Sequence, residues 1–245
     1  MIEFMNLRKT FGEREVLKGI SFKIERGEIV FILGTSGTGK SVLLKNLVGL
    51  IRPTSGVIRI DGEDITALTE EQMKPVRKKC GMVFQHPALF DSMSVFENVA
   101  YGVRRHEALS EEDIRHRVSE CLSLVQLIGA EHRQPLELSY GMQKRVSLAR
   151  TLAVRPEILL FDEPTTGLDP VTTAAVNRLI KDLSHKLKVT SVVVSHDMGS
   201  ALSVADKIVV LDKGHIVDHG TPAELEKSQH PLVVDFLKEG RVDFV

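Results

Sequence analysis

The chain has 245 residues, 42% of them hydrophobic and 27% charged, a balance that suits one folded domain with at most an inserted subdomain and excludes a largely disordered chain. Lys plus Arg (32) against Asp plus Glu (33) leaves a formal net charge of -1, so the global basic field of a nucleic-acid binder is absent and any anion site must be local. Cys80 and Cys121 stand far apart with no His at metal-ligand spacing, which argues against a zinc site or a disulfide framework and for a reducing compartment.

The start, MIEFMNLRKTFGERE, is charged and has no apolar core, and the longest apolar runs, EILLFD and TSVVVS, are too short to span a bilayer. No signal segment and no membrane span are expected. Residues 1–33 read as short strands, among them ISFKI (20–24) and the β-branched run EIVFIL that leads to Gly34. The stretch SVLLKNLVGL follows, with Val42, Leu43, Leu47 and Leu50 at helical spacing and Arg52-Pro53 as a stop. Between strand and helix lies Gly34-Thr35-Ser36-Gly37-Thr38-Gly39-Lys40-Ser41, a match to G-x-x-x-x-G-K-[ST] in the context that the motif requires. Backbone N–H groups of such a loop cradle phosphates, the lysine meets the β/γ oxygens and the Ser hydroxyl reaches Mg²⁺.

GVIRIDGEDI offers another strand with an Asp61-Gly62 turn, and the hairpin-like segments predict a small antiparallel sheet beside the main one. From about Thr69 to Arg155 the pattern is mostly helical and more polar, an inserted helical subdomain at roughly 86–160. Ser110 starts one of its helices, Ile114, Val118, Cys121, Leu122 and Val125 form the apolar face, and Gly129 ends it. Strand and helix then alternate: EILLFDEP, a helix behind Asp169-Pro170, then TSVVVSHD. That order predicts an α/β fold with a parallel main sheet. KIVVLDKGHIVDHG reads as a hairpin, and Thr221-Pro-Ala-Glu224 as a helix start.

The run Ile158–Phe161 ends in Asp162 and Glu163, an arrangement able to hold Mg²⁺ on one carboxylate and to polarise water with the next. Leu138-Ser139-Tyr140-Gly141-Met142 precedes the helical stretch QKRVSLARTLAVRP. This segment resembles the signature of ABC transporter ATPases, usually Leu-Ser-Gly-Gly-Gln, and with the phosphate loop and the Asp-Glu strand end it is similar to that family over nearly the whole chain. Further family elements fall in order: Phe11 as the adenine-stacking aromatic, Gln85 in the Q-loop, Gly167-Leu168-Asp169 as the D-loop and His196 as the switch histidine. Two positions depart from the usual pattern. Tyr140 stands for a glycine and is expected to point away from the nucleotide, and Phe11 stands for Tyr, which preserves a stacking face.

The resemblance implies a P-loop NTPase nucleotide-binding domain over residues 1–225, with a RecA-like parallel sheet core, a small antiparallel β subdomain, the inserted helical subdomain and a short C-terminal tail over 226–245. It implies ATP hydrolysis with Mg²⁺, with catalytic Glu163, His196 and Gln85 and metal contacts at Ser41, Gln85 and Asp162. Nucleotide contacts are implied at Phe11, Val16, Gly34 through Val42, Asp162, Ser139 and Gly141. It implies a head-to-tail homodimer, no nucleic-acid partner, and a peripheral place on the cytoplasmic face of the cell membrane beside integral-membrane permease subunits. Within the family, GTSGTGKSVLLKNLVGLIRPTSG, the run Phe84–Ser92 and HPLVVDFLKEG are similar to the ATPases of Mla-type systems, which move phospholipids or related lipids with MCE-domain proteins. An amino-acid or metal importer ATPase and a non-transport ABC ATPase are the alternatives; a P-loop kinase would have no use for Ser139-Tyr-Gly.

Overall fold

Two sheets share one body in the computed structural model, which describes residues 1–242. In the smaller sheet β1 (Ile2–Phe11) pairs antiparallel with β2 (Arg14–Ile24) and with β4 (Ser55–Ile60), and β5 (Glu63–Asp64) adds to β4 across the Asp61-Gly62 turn. The larger sheet has the order β10-β9-β3-β8-β7-β6. Its members are β3 (Ile29–Leu33), β6 (Cys80–Val83), β7 (Ile158–Asp162), β8 (Thr190–Ser195), β9 (Lys207–Asp212) and β10 (His215–Gly220). All pairings are parallel except the β9–β10 hairpin. Strand β6 is a correction to the helical reading of 69–155: four residues are too few to show a period, and their partner β7 lies more than 70 residues on in the chain.

Strands β3, β7, β8 and β9 are buried on both faces, which is why IVFIL and ILLF are unbroken apolar runs. Alternate residues face opposite ways: Phe31, Phe161, Val193 and Ile208 enter one core, while Ile32, Leu160, Val192 and Val209 enter the other. The second core is closed by helix α1 (Lys40–Leu47), through Leu43, Leu44 and Leu47, and by the antiparallel sheet. Helix α1 stops earlier than Arg52-Pro53 predicts. The Val48 and Gly49 N–H groups donate to Leu44 and Asn46 carbonyls, and Leu50, expected on the buried face, is exposed. Helix α2 (Glu70–Lys79) follows, started by a Thr69–Gln72 capping box.

The expected helical segment contains α3 (Val95–His106), α4 (Glu111–Leu124) and α5 (Tyr140–Leu152). Each begins behind a serine, Ser94, Ser110 and Ser139, whose hydroxyl accepts the N–H of the third helical residue. The predicted face of α4 is buried, but the helix ends five residues before Gly129. Val99, Val118, Leu122 and Val146 belong to the same apolar core as Phe161 and Val193, so this segment packs on the main sheet through a shared core. Helices α6 (Pro170–Leu187), capped by Asp169, and α7 (Met198–Val204) complete that side. The short α8 (Pro222–Leu225) starts at the predicted Thr221–Glu224 box. Of the tail expected over 226–245, Pro231–Val242 form helix α9, which buries Val233, Phe236 and Leu237 in the first core; residues 243–245 lie outside the described residues.

Candidate nucleotide-binding and hydrolytic site

A parallel sheet delivers every strand's C-terminal end to one edge, where ligands bind in open α/β folds. The phosphate loop follows β3, Gln85 follows β6, Asp162 and Glu163 close β7, and His196 follows β8. Gly39 takes φ +105° directly before α1, and a Cβ there would lie 2.7 Å from Leu17 Cδ2 and 3.2 Å from Val16 Cγ1. Only glycine fits that turn. Thr38 Oγ1 donates to the Thr35 carbonyl at 2.9 Å, bracing the loop from within.

Lys40 is buried. Its Nζ donates to the carbonyls of Gly34 (2.6 Å) and Thr35 (3.0 Å) and lies 3.6 Å from Glu163 Oε1. Burial pushes the Lys40 pKa down, while Glu163 and then Asp162 pull it back up. The next residue, Ser41, donates through Oγ to Asp162 Oδ1 at 2.8 Å. A hydroxyl and a carboxylate are hard oxygen donors of the kind that suits Mg²⁺, an ion that usually takes only one or two protein carboxylates and completes its shell with phosphate and water. The donor set therefore fits the ion; among the described residues no group of three or more His, Cys, Asp or Glu competes for it.

Glu163 is held on several sides. Its N–H donates to the Val194 carbonyl at 3.0 Å, and its backbone takes φ +51°, a left-handed conformation that costs a non-glycine residue about 1–3 kcal/mol and recurs at functional sites. Oε2 accepts from Thr166 Oγ1 at 3.2 Å and from His196 Nδ1 at 2.8 Å. Since a carboxylate only accepts, the His196 proton sits on Nδ1 and Nε2 is left for a second partner. Lys40, Ser41, Asp162, Glu163 and His196, predicted from separate stretches, thus form one connected cluster.

Other predicted residues lie apart from that cluster. Phe11, at the end of β1, is exposed with Lys9 Nζ 4.8 Å above its ring. Ser139 Oγ accepts the Met142 N–H, and a Cβ on Gly141 would meet Thr172 Cγ2 at 2.9 Å, so the close approach of α6 excludes a side chain there. Gln85 is exposed, and its carbonyl accepts from the Tyr140 hydroxyl at 3.2 Å. Ser36, Gly37 and Val42 keep their places in the loop and the first turn of α1.

Two residues were not singled out by sequence. Thr166 supports Glu163 as described. Lys144 is buried on α5 and donates to the carbonyls of Pro164 (2.8 Å) and Thr166 (3.0 Å), fixing the segment after Glu163. Its signal was a lysine on the apolar face with Ser147 and Leu148. Burial pushes its pKa down to about 8, with Glu163 opposing. Below pH 8 folded and unfolded chains both hold this proton and the burial cost is present in full. From about pH 8 to the ordinary 10.5 the unfolded chain holds a proton that the folded chain has released, so stability rises with pH by up to about 1.4 kcal/mol per unit. The stability of wild type relative to Lys144→Met, measured by urea unfolding, is expected to be greater at pH 9.5 than at pH 7.5; a constant difference would contradict the assigned burial cost.

Residues 17–166 match the family model described as ABC transporter. The chain belongs to the ABC transporter family. It is 42% identical over 238 residues to the intermembrane phospholipid transport system ATP-binding protein MlaF of Haemophilus influenzae, covering 97% of this chain and 90% of that protein. It is 42% identical over 241 residues to the probable ribonucleotide transport ATP-binding protein Mkl of Mycobacterium leprae (98% and 70%), and 40% identical over 241 residues to the methionine import ATP-binding protein MetN of Carboxydothermus hydrogenoformans (97% and 71%). Among solved structures it is similar to CbiO1 of Clostridium perfringens, part of the ABC transporter complex CbiONQ, with TM-score 0.87 and 31% identity over 99% of this chain and 96% of that one. It is also similar to a dimeric post-hydrolysis state of the ATP-binding cassette MJ0796 bound to ADP and Pi, with TM-score 0.82 and 34% identity over 91% and 99%. The ABC ATPase fold and its ATP-hydrolysing activity are accordingly those of this chain, and no helix among the described residues is long and apolar enough to cross a membrane.

Proposed function

We propose that this ABC ATPase powers phospholipid or related lipid transport across a bacterial envelope, docked on the cytoplasmic face of the membrane against permease subunits and working with an MCE-domain protein. The observation that carries the reading is a likeness of 42% to MlaF over 97% of this chain; Mkl and MetN, at 42% and 40%, are the relatives that keep other transported substrates in play. Two copies pair head to tail, a reading supported by the dimeric structures of the MJ0796 cassette, and each ATP lies between the phosphate loop of one copy and Ser139 and Gly141 of the other. Lys40 neutralises β/γ-phosphate charge, Glu163 takes a proton from the attacking water, and His196 orients Glu163 through Nδ1. Phe11 stacks on adenine beside Val16. Ser41, Asp162 and Gln85 would hold Mg²⁺, which would supply charge neutralisation on the phosphates when bound.

The permease contact is placed beside the Q-loop. Phe84, Phe90 and Tyr101 expose their rings there, with Phe90 and Tyr101 packed at 4.8 Å between centroids, while Leu89 and Phe96 are half-buried against the core. Burying one such apolar side chain contributes roughly 1.5–3 kcal/mol. Phe90→Asp is therefore expected to release the ATPase from its membrane complex while ATP binding stays at the wild-type level. The measurement is a pull-down of the tagged full chain from detergent-solubilised membranes of its own host, with mass spectrometry of the proteins and lipids recovered. A permease, an MCE-domain protein and enriched phospholipid support the reading; an amino-acid or metal permease in their place overturns the lipid assignment and leaves the ABC ATPase.

A further inference from the structure

We propose that Tyr140 is a positioning residue that ties the start of the signature helix α5 to the Gln85–His86 segment, so that the parts of one chain serving two different nucleotide sites move as one unit; this rests on the head-to-tail dimer reading above. In that dimer Gln85 serves the chain's own nucleotide, whereas Ser139 and Gly141 serve the partner's. Tyr140 stands between them. Its hydroxyl lies 3.2 Å from the Gln85 carbonyl oxygen and 3.2 Å from His86 Nδ1.

Proton bookkeeping fixes the direction of both bonds. The phenol has one proton and a carbonyl only accepts, so Tyr140 donates to Gln85 and His86 donates its Nδ1–H to the phenolic oxygen. The backbone of Gln85 is what Tyr140 grips, which leaves the Gln85 side chain outside this bond. The ring is 37% exposed, too open to be explained as core filling. One side of it carries Lys144 Nζ, 5.3 Å from the centroid, and a Cβ on Gly167 would lie 3.7 Å from its Cε1. The ring thus borders the segment that Lys144 fixes behind Glu163.

The same helix holds the loop at a second point. Arg150 donates to the carbonyls of Ala88 (2.8 Å) and Pro87 (3.2 Å), about 15 Å along α5 from Tyr140 at the helical rise of 1.5 Å per residue. Two grips, one at Gln85 and His86 and one at Pro87 and Ala88, hold the 85–88 segment to the helix at two places. Arg150 sets where the segment lies, and Tyr140 sets the end next to the signature. A glycine at 140 would leave the Arg150 grip in place and remove the one at Gln85 and His86.

The test uses the full chain with Glu163→Gln, which is expected to retain ATP, and reads the ATP concentration for half-maximal dimer formation by analytical ultracentrifugation. ATP binding to the monomer at low protein concentration and the melting temperature are read alongside. Adding Tyr140→Phe, which keeps the ring and removes both hydrogen bonds of the hydroxyl, is expected to raise the half-maximal ATP concentration at least about fivefold, the size of one ordinary hydrogen bond, with monomer binding and melting unchanged. His86→Ala is expected to give a similar rise, and the two together less than the product of the single effects, because both break one linkage. Dimer formation unchanged in both variants, or losses that multiply, would overturn the tie. If Tyr140→Phe lowers the melting temperature, His86→Ala, at an exposed side chain, decides by the same measure. A Glu163→Gln chain that stays monomeric with ATP overturns the dimer reading and the tie with it, whereas a normal dimer untouched by Tyr140→Phe and His86→Ala overturns the tie alone.

Discussion

Glu163→Gln is expected to lower ATP hydrolysis about 10²- to 10⁴-fold, the contribution of a positioned general base, while ATP binding persists. The amide matches the carboxylate in size, so its Oε1 still accepts from His196 Nδ1 or Thr166 Oγ1, the two donors that hold Oε2. What is lost is the negative charge that accepts a proton from water and faces Lys40 at 3.6 Å. The left-handed backbone at residue 163 is anchored by its N–H to the Val194 carbonyl, which the substitution leaves alone, so the fold should be unchanged. Single-turnover hydrolysis with radiolabelled ATP checks the rate, and gel filtration with ATP checks for a trapped dimer. Turnover at the wild-type level would remove Glu163 from the role of base.

Lys40→Ala is expected to weaken ATP binding roughly ten- to a hundredfold or more, because hydrogen bonds to charged groups contribute about 1.5–3 kcal/mol each and 1.4 kcal/mol is tenfold in affinity. The effect on stability should be small by cancellation. Burial disfavours the Lys40 charge, so its removal lifts a cost. Against that, the carbonyls of Gly34 and Thr35 lose a donor and Glu163 loses its cationic neighbour. Isothermal titration with ATP tests binding, and circular dichroism tests that the fold is intact. A dissociation constant equal to that of wild type would exclude the phosphate-loop assignment.

What the amino-acid order determined by itself is whatever depends on neighbours within a few residues. The phosphate loop was legible because its glycines, Lys40 and Ser41 occur together between an apolar strand and a helix. The strands β3, β7 and β8 were legible because a sheet buried on both faces leaves an unbroken apolar run. The starts behind Ser110, Asp169 and Thr221 were legible because a cap acts on the N–H three residues on. The order of the family elements along the chain supplied the roles proposed for Phe11, Gln85 and His196, which no local pattern would single out.

The tertiary structure alone decided the rest, because those features join residues far apart in the chain. Strand β6 is four residues whose identity comes from pairing with β7, and the bond from His196 to Glu163 spans 33 positions. Lys144 reads as one more polar residue of α5 until its contacts behind Glu163 bury it, and Tyr140 reads as a lapse in the signature until its hydroxyl meets a carbonyl 55 residues earlier. The early stop of α1 and the docking of α9 belong to the same class, since the cores on the two sides of the sheet, and not helix propensity, decide which apolar residues are covered. Short-range order selects the elements; the C-terminal edge of a parallel sheet, assembled from strands scattered over the chain, is what brings a lysine, two carboxylates and a histidine within bonding distance.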